Sequence, residues 1–138
     1  MEINHPQVHA ELTPQFDRYQ QALMDHDVAV RNELFWHHSL TIRDGIGEHL
    51  YGPADIATYR RTRAPQDLTQ VVDKSVVTTY GHDAATTDIE FTRAGRKGRP
   101  SQTWIRMPEG WRIVAAHVSF MHESGENPGV KLTSDALR

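Results

Sequence analysis

The chain contains no cysteine, which excludes disulfide bonds, thiolate catalysis and cysteine-bound metals. A membrane-spanning helix requires about 20 consecutive apolar residues, and no hydrophobic run in the chain approaches that length. Its first residues, MEINHPQVHAEL, have neither the basic start nor the apolar core of a signal peptide. We therefore expect a cytoplasmic protein that has no membrane partner.

A basic surface and the common catalytic motifs are missing as well. The net charge of −3 gives no electrostatic footprint for nucleic acid, so we expect no nucleic-acid partner. The patterns HExxH, GxSxG and GxxxxGK[ST] do not occur, and His37 and His38 are adjacent, a poor spacing for one metal ion. We expect no bound metal. What remains is 138 residues, enough for one domain with a hydrophobic core.

The first half of the chain reads as helical. Val8, Leu12, Phe16, Tyr19 and Leu23 recur at spacings of four, four, three and four, which places them on one face of an amphipathic helix over 5–25. Capping and proline signals predict two shorter helices, and an apolar run predicts a short strand; these lie at 28–35, 53–63 and 40–43. The glycine-rich segment between the strand and the third helix reads as an irregular pocket rim.

The second half reads as antiparallel strands. Valine, threonine and alternating patterns predict strands at 67–80 and 84–93, followed by two long strands within 98–119 joined by a Pro-Glu-Gly turn. Helices followed by hairpin-linked strands indicate an α+β fold, with three N-terminal helices packed on a curved antiparallel sheet. This element order is similar to that of the NTF2-like cone.

We expect a single domain over 1–123, followed by a polar tail over 124–138 that is mobile. The outer face of a curved sheet, if apolar, needs to be covered. On that reasoning we expect a homodimer formed through the sheet.

Two polar residues stand in core-forming elements. Tyr19 shares the apolar face of the first helix, where its hydroxyl is either a proton donor in a pocket or a core group bonded to a carbonyl. Arg43 ends the short strand, where it is either paired with Asp44 at the surface or a pocket cation that binds carboxylates. A guanidinium group near Tyr19 would favour the phenolate and lower the pKa of that tyrosine.

The final hairpin supplies four more candidates. Gln102 and Trp104 share a face of one strand and provide either an amide and an aromatic wall of a pocket or ordinary core packing. His117 and Ser119 share a face of the next strand, where the imidazole acts either as a base or anion donor or as an interface residue. The basic patch of Arg60, Arg61 and Arg63 reads as a solvated helix end, from which one member could reach the pocket.

Four segments carry a more specific resemblance: RYQQAL, ELFW, TIRDGIGEHLYG and GRPSQTWIRMPEGWRIVAAHVS. In order and spacing they resemble an NTF2-like (SnoaL-like) family. This family includes the oxalurate-catabolism accessory proteins and the amidohydrolase that acts on dicarboxyurea in cyanuric acid breakdown. The resemblance extends from about Ile3 to Glu123.

The resemblance implies a cofactor-free amidohydrolase or decarboxylase for a small anionic ureido acid. The substrate would be dicarboxyurea, yielding allophanate and carbon dioxide, or an oxalurate-related compound. Tyr19 and Arg43 match the positions that the dicarboxyurea-acting members need, so they become the catalytic candidates, with Gln102, Trp104, His117 and Ser119 as substrate-binding candidates. Two alternatives stay open: a non-catalytic subunit that assists a pathway amidase, and an isomerase or cyclase that uses Asp44, Asp88 or Glu90 as its base.

Overall fold

A computed structural model describes residues 1–64 and 66–122. The predicted tail at 124–138 lies outside the described residues. The elements are α1 (Pro6–Met24), α2 (Val28–Leu34), β1 (Ile42–Asp44), β2 (His49–Tyr51), α3 (Gly52–Thr62), β3 (Val71–Tyr80), β4 (Ala84–Arg93), β5 (Arg96–Met107) and β6 (Gly110–Phe120). The predicted α+β architecture, with helices packed on a sheet, is confirmed. Strand β2 was not predicted, because its three residues stand inside the glycine-rich segment.

The strands form one sheet in the order β2-β1-β6-β5-β4-β3. Neighbouring strands are antiparallel except for β1 and β6, which are parallel. The sheet is therefore mixed, whereas the sequence predicted an antiparallel one. The reason is topological: β6 returns beside β1 only after a connection that contains α3 and three long strands, so hairpin geometry does not set their relative direction.

Helix α1 packs its apolar face against the sheet. The buried residues of this face are Val8, Leu12, Phe16, Tyr19 and Ala22. At the start of the helix, the His5 ring nitrogen accepts a hydrogen bond from the Gln7 backbone, and a proline occupies the first turn. The amphipathic pattern thus determines which way Tyr19 points.

The hydrophobic core lies between the helices and the inner face of the sheet. Leu12, Leu34, Trp104 and Ile113 are each fully buried there. Burying a side chain of this size stabilises the fold by about 1.5–3 kcal/mol. No described helix is long and apolar enough to cross a membrane.

A β-bulge in β6 changes which residues face the core. Thr103 of β5 pairs with Ala115, but the next residue, Trp104, pairs with Ile113, so Val114 is an extra residue on β6. Because side chains alternate along a strand, one extra residue reverses the facing of everything beyond it. After the bulge, Ala116 and every second residue that follows it face inward, whereas Ala115 and every second residue that follows it face outward.

The outer face of the sheet carries both polar and apolar side chains. Thr78, Thr86 and Thr103 stand side by side across β3, β4 and β5, in register with Ala115 of β6. Beyond Ala115 the same row continues to the exposed Ile42 of β1 and Tyr51 of β2. It is therefore polar on β3 to β5 and more apolar at its other end. The homodimer stays a prediction.

The close approach of β4 and β5 provides a test of the packing. A Cβ atom added at Gly98 would lie 2.3 Å from Cζ of the buried Phe91 ring, whereas one added at Gly47 would meet nothing within 4 Å. We expect Gly98→Ala to lower the free energy of unfolding by about 1–3 kcal/mol through overpacking. The matched Gly47→Ala change should stay within about 0.5 kcal/mol of the parent. Urea denaturation measures both, and equal midpoints for the two variants would contradict this packing.

Candidate functional site

A cavity of about 390 Å³ lies between the inner face of the sheet and the helices. This volume is at the lower end of the about 300–1,000 Å³ typical of ligand sites. Carboxylates from Asp44, Glu48 and Asp67 line it together with more numerous cations, which are Arg31, Arg43, Arg63, Arg93 and Arg96. The excess of positive charge makes the cavity suited to a small anion.

Tyr19 lies in the cavity wall with only 6% of its surface exposed. Its ring packs edge-on against Phe35, with 6.0 Å between the ring centroids. Burial by itself would raise the pKa of the Tyr19 hydroxyl, but the positive charges of Arg60, Arg31 and Arg43 outweigh burial and hold the pKa below its ordinary value of 10.0. The structure thus places this phenol in a pocket environment that favours loss of its proton.

Arg43 reaches the cavity because of strand register. It pairs with Ala116 of β6, Ala116 pairs with Gln102 of β5, and Gln102 pairs with Thr87 of β4. Paired residues in a sheet face the same side, so these four form one row across the inner face. The arginine and the amide that were predicted from distant parts of the sequence therefore stand on a common wall.

Glu48 orients the Arg43 guanidinium group. Arg43 Nη1 donates to Glu48 Oε1 at 3.0 Å, and both side chains are mostly buried. Partial burial works against ionisation of Glu48, but the hydrogen bonds from Arg43 and from the Gly47 backbone outweigh it and lower the pKa of this carboxyl. A Cβ atom at Gly45 would overlap the Glu48 carboxylate, so the glycine creates the space for this pair. The Nε and Nη2 edge of Arg43 stays outside the ion pair, which leaves it for a ligand carboxylate.

A buried relay fixes the orientation of the Gln102 amide. Trp104 Nε1 donates to Thr87 Oγ1 at 3.0 Å, and Thr87 Oγ1 donates to Gln102 Oε1 at 3.1 Å. Because the amide oxygen is used in this relay, the amide NH₂ group is the part of Gln102 available to a ligand. Trp104 itself is fully buried and does not line the cavity. The prediction that Trp104 binds substrate directly was therefore wrong; it supports Gln102 from behind.

The structure places the two binding candidates of β6, His117 and Ser119, on the outer face of the sheet. Beyond the bulge at Val114, these two residues point to the outer side of β6. Ser119 Oγ accepts from Arg99 Nε at 3.3 Å and does not line the cavity. His117 only borders the cavity, and 62% of its side chain is exposed.

Asp44 and His117 belong to a polar group at the edge of the sheet. Asp44 Oδ1 lies 2.9 Å from His49 Nδ1, and its other oxygen lies 4.0 Å from His117 Nδ1. Asp88 and Glu90, the other two candidate bases for an isomerase, are exposed on the outer face of β4. No group of three or more His, Cys, Asp or Glu side chains within 1–64 and 66–122 is arranged to hold a metal ion.

Two arginines beside Tyr19 were missed or misread. Arg31 of α2 is 7% exposed and lines the cavity. Arg60 of α3, expected on a solvated patch, instead stacks over Phe35 with its Cζ 5.0 Å from the ring centroid. Burial, together with the charges of Arg31 and Arg43, lowers the pKa of Arg60 to about 10. A sequence signal existed for Arg31, since it stands three positions before the buried Leu34, on the same side of the helix.

The Tyr19 environment predicts an early tyrosine titration. Because the pKa is lower in the folded protein than the ordinary 10.0, one phenol should ionise below the usual range when followed by near-ultraviolet absorbance. Because of this difference in pKa, ionisation of Tyr19 stabilises the folded protein. The stabilisation is complete above pH 10.0 and is lost as the pH falls through the folded-state pKa of Tyr19. Tyr19→Phe should remove this early transition, and Tyr51→Phe, at an exposed tyrosine, should retain it. An early transition that survives Tyr19→Phe would contradict the assignment.

Comparison with known proteins places this cavity in a family. The chain is 51% identical to a protein of unknown function from Pectobacterium atrosepticum, over 87% of this chain and 95% of that one, with a TM-score of 0.84. It is 41% identical to a cystatin-like fold protein from Burkholderia xenovorans, over 87% and 96% of the two chains, with a TM-score of 0.82.

A nuclear transport factor 2 (NTF2-like) superfamily protein from Salmonella enterica is 26% identical over 90% of this chain and 98% of that one, with a TM-score of 0.73. No curated protein matches the chain significantly. The AtzH-like family model matches residues 1–124. With its NTF2-like fold and this match across the whole described domain, the chain belongs to the AtzH-like family.

Proposed function

We propose that this protein is a cofactor-free amidohydrolase or decarboxylase that acts on a small ureido acid. The substrate is dicarboxyurea, which yields allophanate and carbon dioxide, or an oxalurate-related compound. The observation that carries the proposal is the buried phenol of Tyr19 among arginines in a small cavity. Such a cavity offers an anion site that can hold the substrate carboxylates and a donor of the proton that the nitrogen of a carbamate needs when carbon dioxide leaves.

Arg43 is the substrate-anchoring residue in this proposal. Glu48 holds one side of its guanidinium group, so the remaining edge can donate two parallel hydrogen bonds to a planar carboxylate. The Gln102 amide, on the same inner row, can donate to the urea oxygen of the bound molecule. Preorganised donors of this kind stabilise charge that develops during reaction.

Tyr19 supplies the proton. In dicarboxyurea the bond between one nitrogen and its carboxyl carbon breaks, the electron pair of that bond stays on nitrogen, and carbon dioxide leaves. The nitrogen takes the Tyr19 proton to give allophanate, and water returns a proton to the phenolate. A phenol whose pKa is lowered toward the working pH is a better donor than an ordinary tyrosine.

The geometry supports this reaction over proton transfer by a carboxylate base. Asp88 and Glu90 lie outside the cavity, and Asp44 is engaged with His49 at its edge. Glu48 is in the cavity but is paired with Arg43. Asp67, the remaining carboxylate of the cavity lining, accepts a hydrogen bond from the Thr69 backbone. The cavity carboxylates are therefore engaged with other groups, which argues against their use as a proton-abstracting base.

Substitution of the two proposed catalytic residues tests the function. Tyr19→Phe should lower kcat for dicarboxyurea by about 10²–10⁴-fold, the usual contribution of a general acid. Arg43→Ala should abolish measurable turnover, since it removes the carboxylate anchor. Release of carbon dioxide and allophanate above the uncatalysed background measures both, and circular dichroism verifies the fold.

Ser119→Ala is the matched control, because Ser119 lies on the adjoining strand but outside the cavity. It should keep full activity. If Tyr19→Phe and Arg43→Ala both turned over dicarboxyurea at the wild-type rate, the proposal would be refuted. Binding of dicarboxyurea without any turnover by the wild-type protein would replace it with the accessory role.

A further inference from the structure

Two buried guanidinium groups beside Tyr19, those of Arg31 and Arg60, have no carboxylate partner among the described residues; the Tyr19 hydroxyl is the polar group that they share. Arg31 Nε is inaccessible to solvent and without a hydrogen-bond partner, and so are Nε and Nη2 of Arg60. Arg60 Nη1 does donate to Asn32, but that amide carries no charge. Within the described part of the chain, no carboxylate oxygen lies within 4.0 Å of either guanidinium group.

The charges around Tyr19 do not balance without a ligand. Arg31, Arg43 and Arg60 together contribute three positive charges, and the carboxylate paired with them is that of Glu48. Even with Tyr19 fully ionised, one positive charge is left over; with Tyr19 protonated, two are left. Unpaired buried charge is costly, so a site that keeps it is built for an anion.

Of these two arginines without a carboxylate partner, Arg31 is the one that lines the cavity. It comes from α2, whereas Arg43 comes from β1 on the sheet, so the two cations approach from different walls. Both side chains line the same cavity as Tyr19. A short molecule that contacts the Tyr19 hydroxyl at its centre can therefore have one end at Arg43 and the other at Arg31.

We propose that Arg31 is the second carboxylate-binding residue of the cavity and makes the protein selective for short dianions with a carboxylate at each end. The inference rests on the proposed function and narrows it, because dicarboxyurea has two carboxylates whereas oxalurate has one. Arg60 does not contact the ligand; it balances the charge of Tyr19 when the proton leaves.

A pair of unreactive ligands tests the selectivity directly. Glutarate has the same chain length as dicarboxyurea and a carboxylate at both ends, and glutaramate replaces one carboxylate with a neutral amide of the same shape. Isothermal titration calorimetry should show that the wild-type protein binds glutarate at least about tenfold more tightly than glutaramate, since hydrogen bonds between charged groups are the strong ones. In Arg31→Met this preference should disappear, and Arg31→Lys should restore part of it.

Thermal stability separates a binding role from a structural one. Methionine fills a similar volume without a charge, so ligand-free Arg31→Met should melt at a higher temperature than the wild type. Glutarate should raise the melting temperature of the wild type and have little effect on the variant. Arg18→Gln, at an exposed arginine on α1 that pairs with Glu33, is the control and should change neither ligand preference nor stability appreciably.

The outcomes distinguish this inference from the proposed function. Turnover of dicarboxyurea together with an unchanged glutarate preference in Arg31→Met would overturn the role of Arg31 alone. A wild-type protein that binds neither ligand, or a Met variant that melts lower and keeps its preference, would overturn it as well. Absence of turnover, with a glutarate preference that depends on Arg31, would refute the reaction but support the dianion site.

Discussion

The burial of Tyr19 among three guanidinium groups is the interaction on which the site depends. Each arginine comes from a different element, α2, β1 or α3, so the cluster forms only when the helices pack onto the sheet. Its electrostatics oppose stability, since cations of like charge are held together away from water. The cost is offset in part by the Glu48 ion pair and by the stacking of Arg60 on Phe35. Functional sites commonly retain arrangements that lower stability. In this cluster an anionic ligand would relieve the repulsion between the guanidinium groups.

The sheet determines which side chains can take part. A single inner row, Arg43, Ala116, Gln102 and Thr87, crosses four strands, and the small alanine in its middle keeps the space between arginine and amide open. The bulge at Val114 sets this row, since without it the adjacent residues of β6 would face inward. The relay from Trp104 through Thr87 then fixes the amide of Gln102. The orientation of the polar cavity wall therefore depends on a side chain of the hydrophobic core, Trp104.

Sequence reasoning succeeded where local periodicity is strong. The spacing of apolar residues predicted α1 and the inward direction of Tyr19, and the bounds of β4 agree at both ends with those predicted. It failed where one residue changes a register. His117 and Ser119 were candidates for the pocket, but the extra residue Val114 turns both to the outer face, from which His117 still borders the cavity. It also failed for Arg60, since a helix rich in arginine looks solvated until its neighbours are known.

The sequence by itself determined the fold class and the family, because periodicity and motif order are local properties of the chain. Through the family resemblance it also pointed to Tyr19 and Arg43 as candidates for the proposed chemistry. Only the tertiary structure decided the environment of Tyr19. Pairing of β1 with β6 brings Arg43 to the inner row, and packing of α2 and α3 buries Arg31 and Arg60 beside the phenol. Charge balance and the pKa depend on distances in space and on exclusion of water, and neither can be read from the order of residues along the chain.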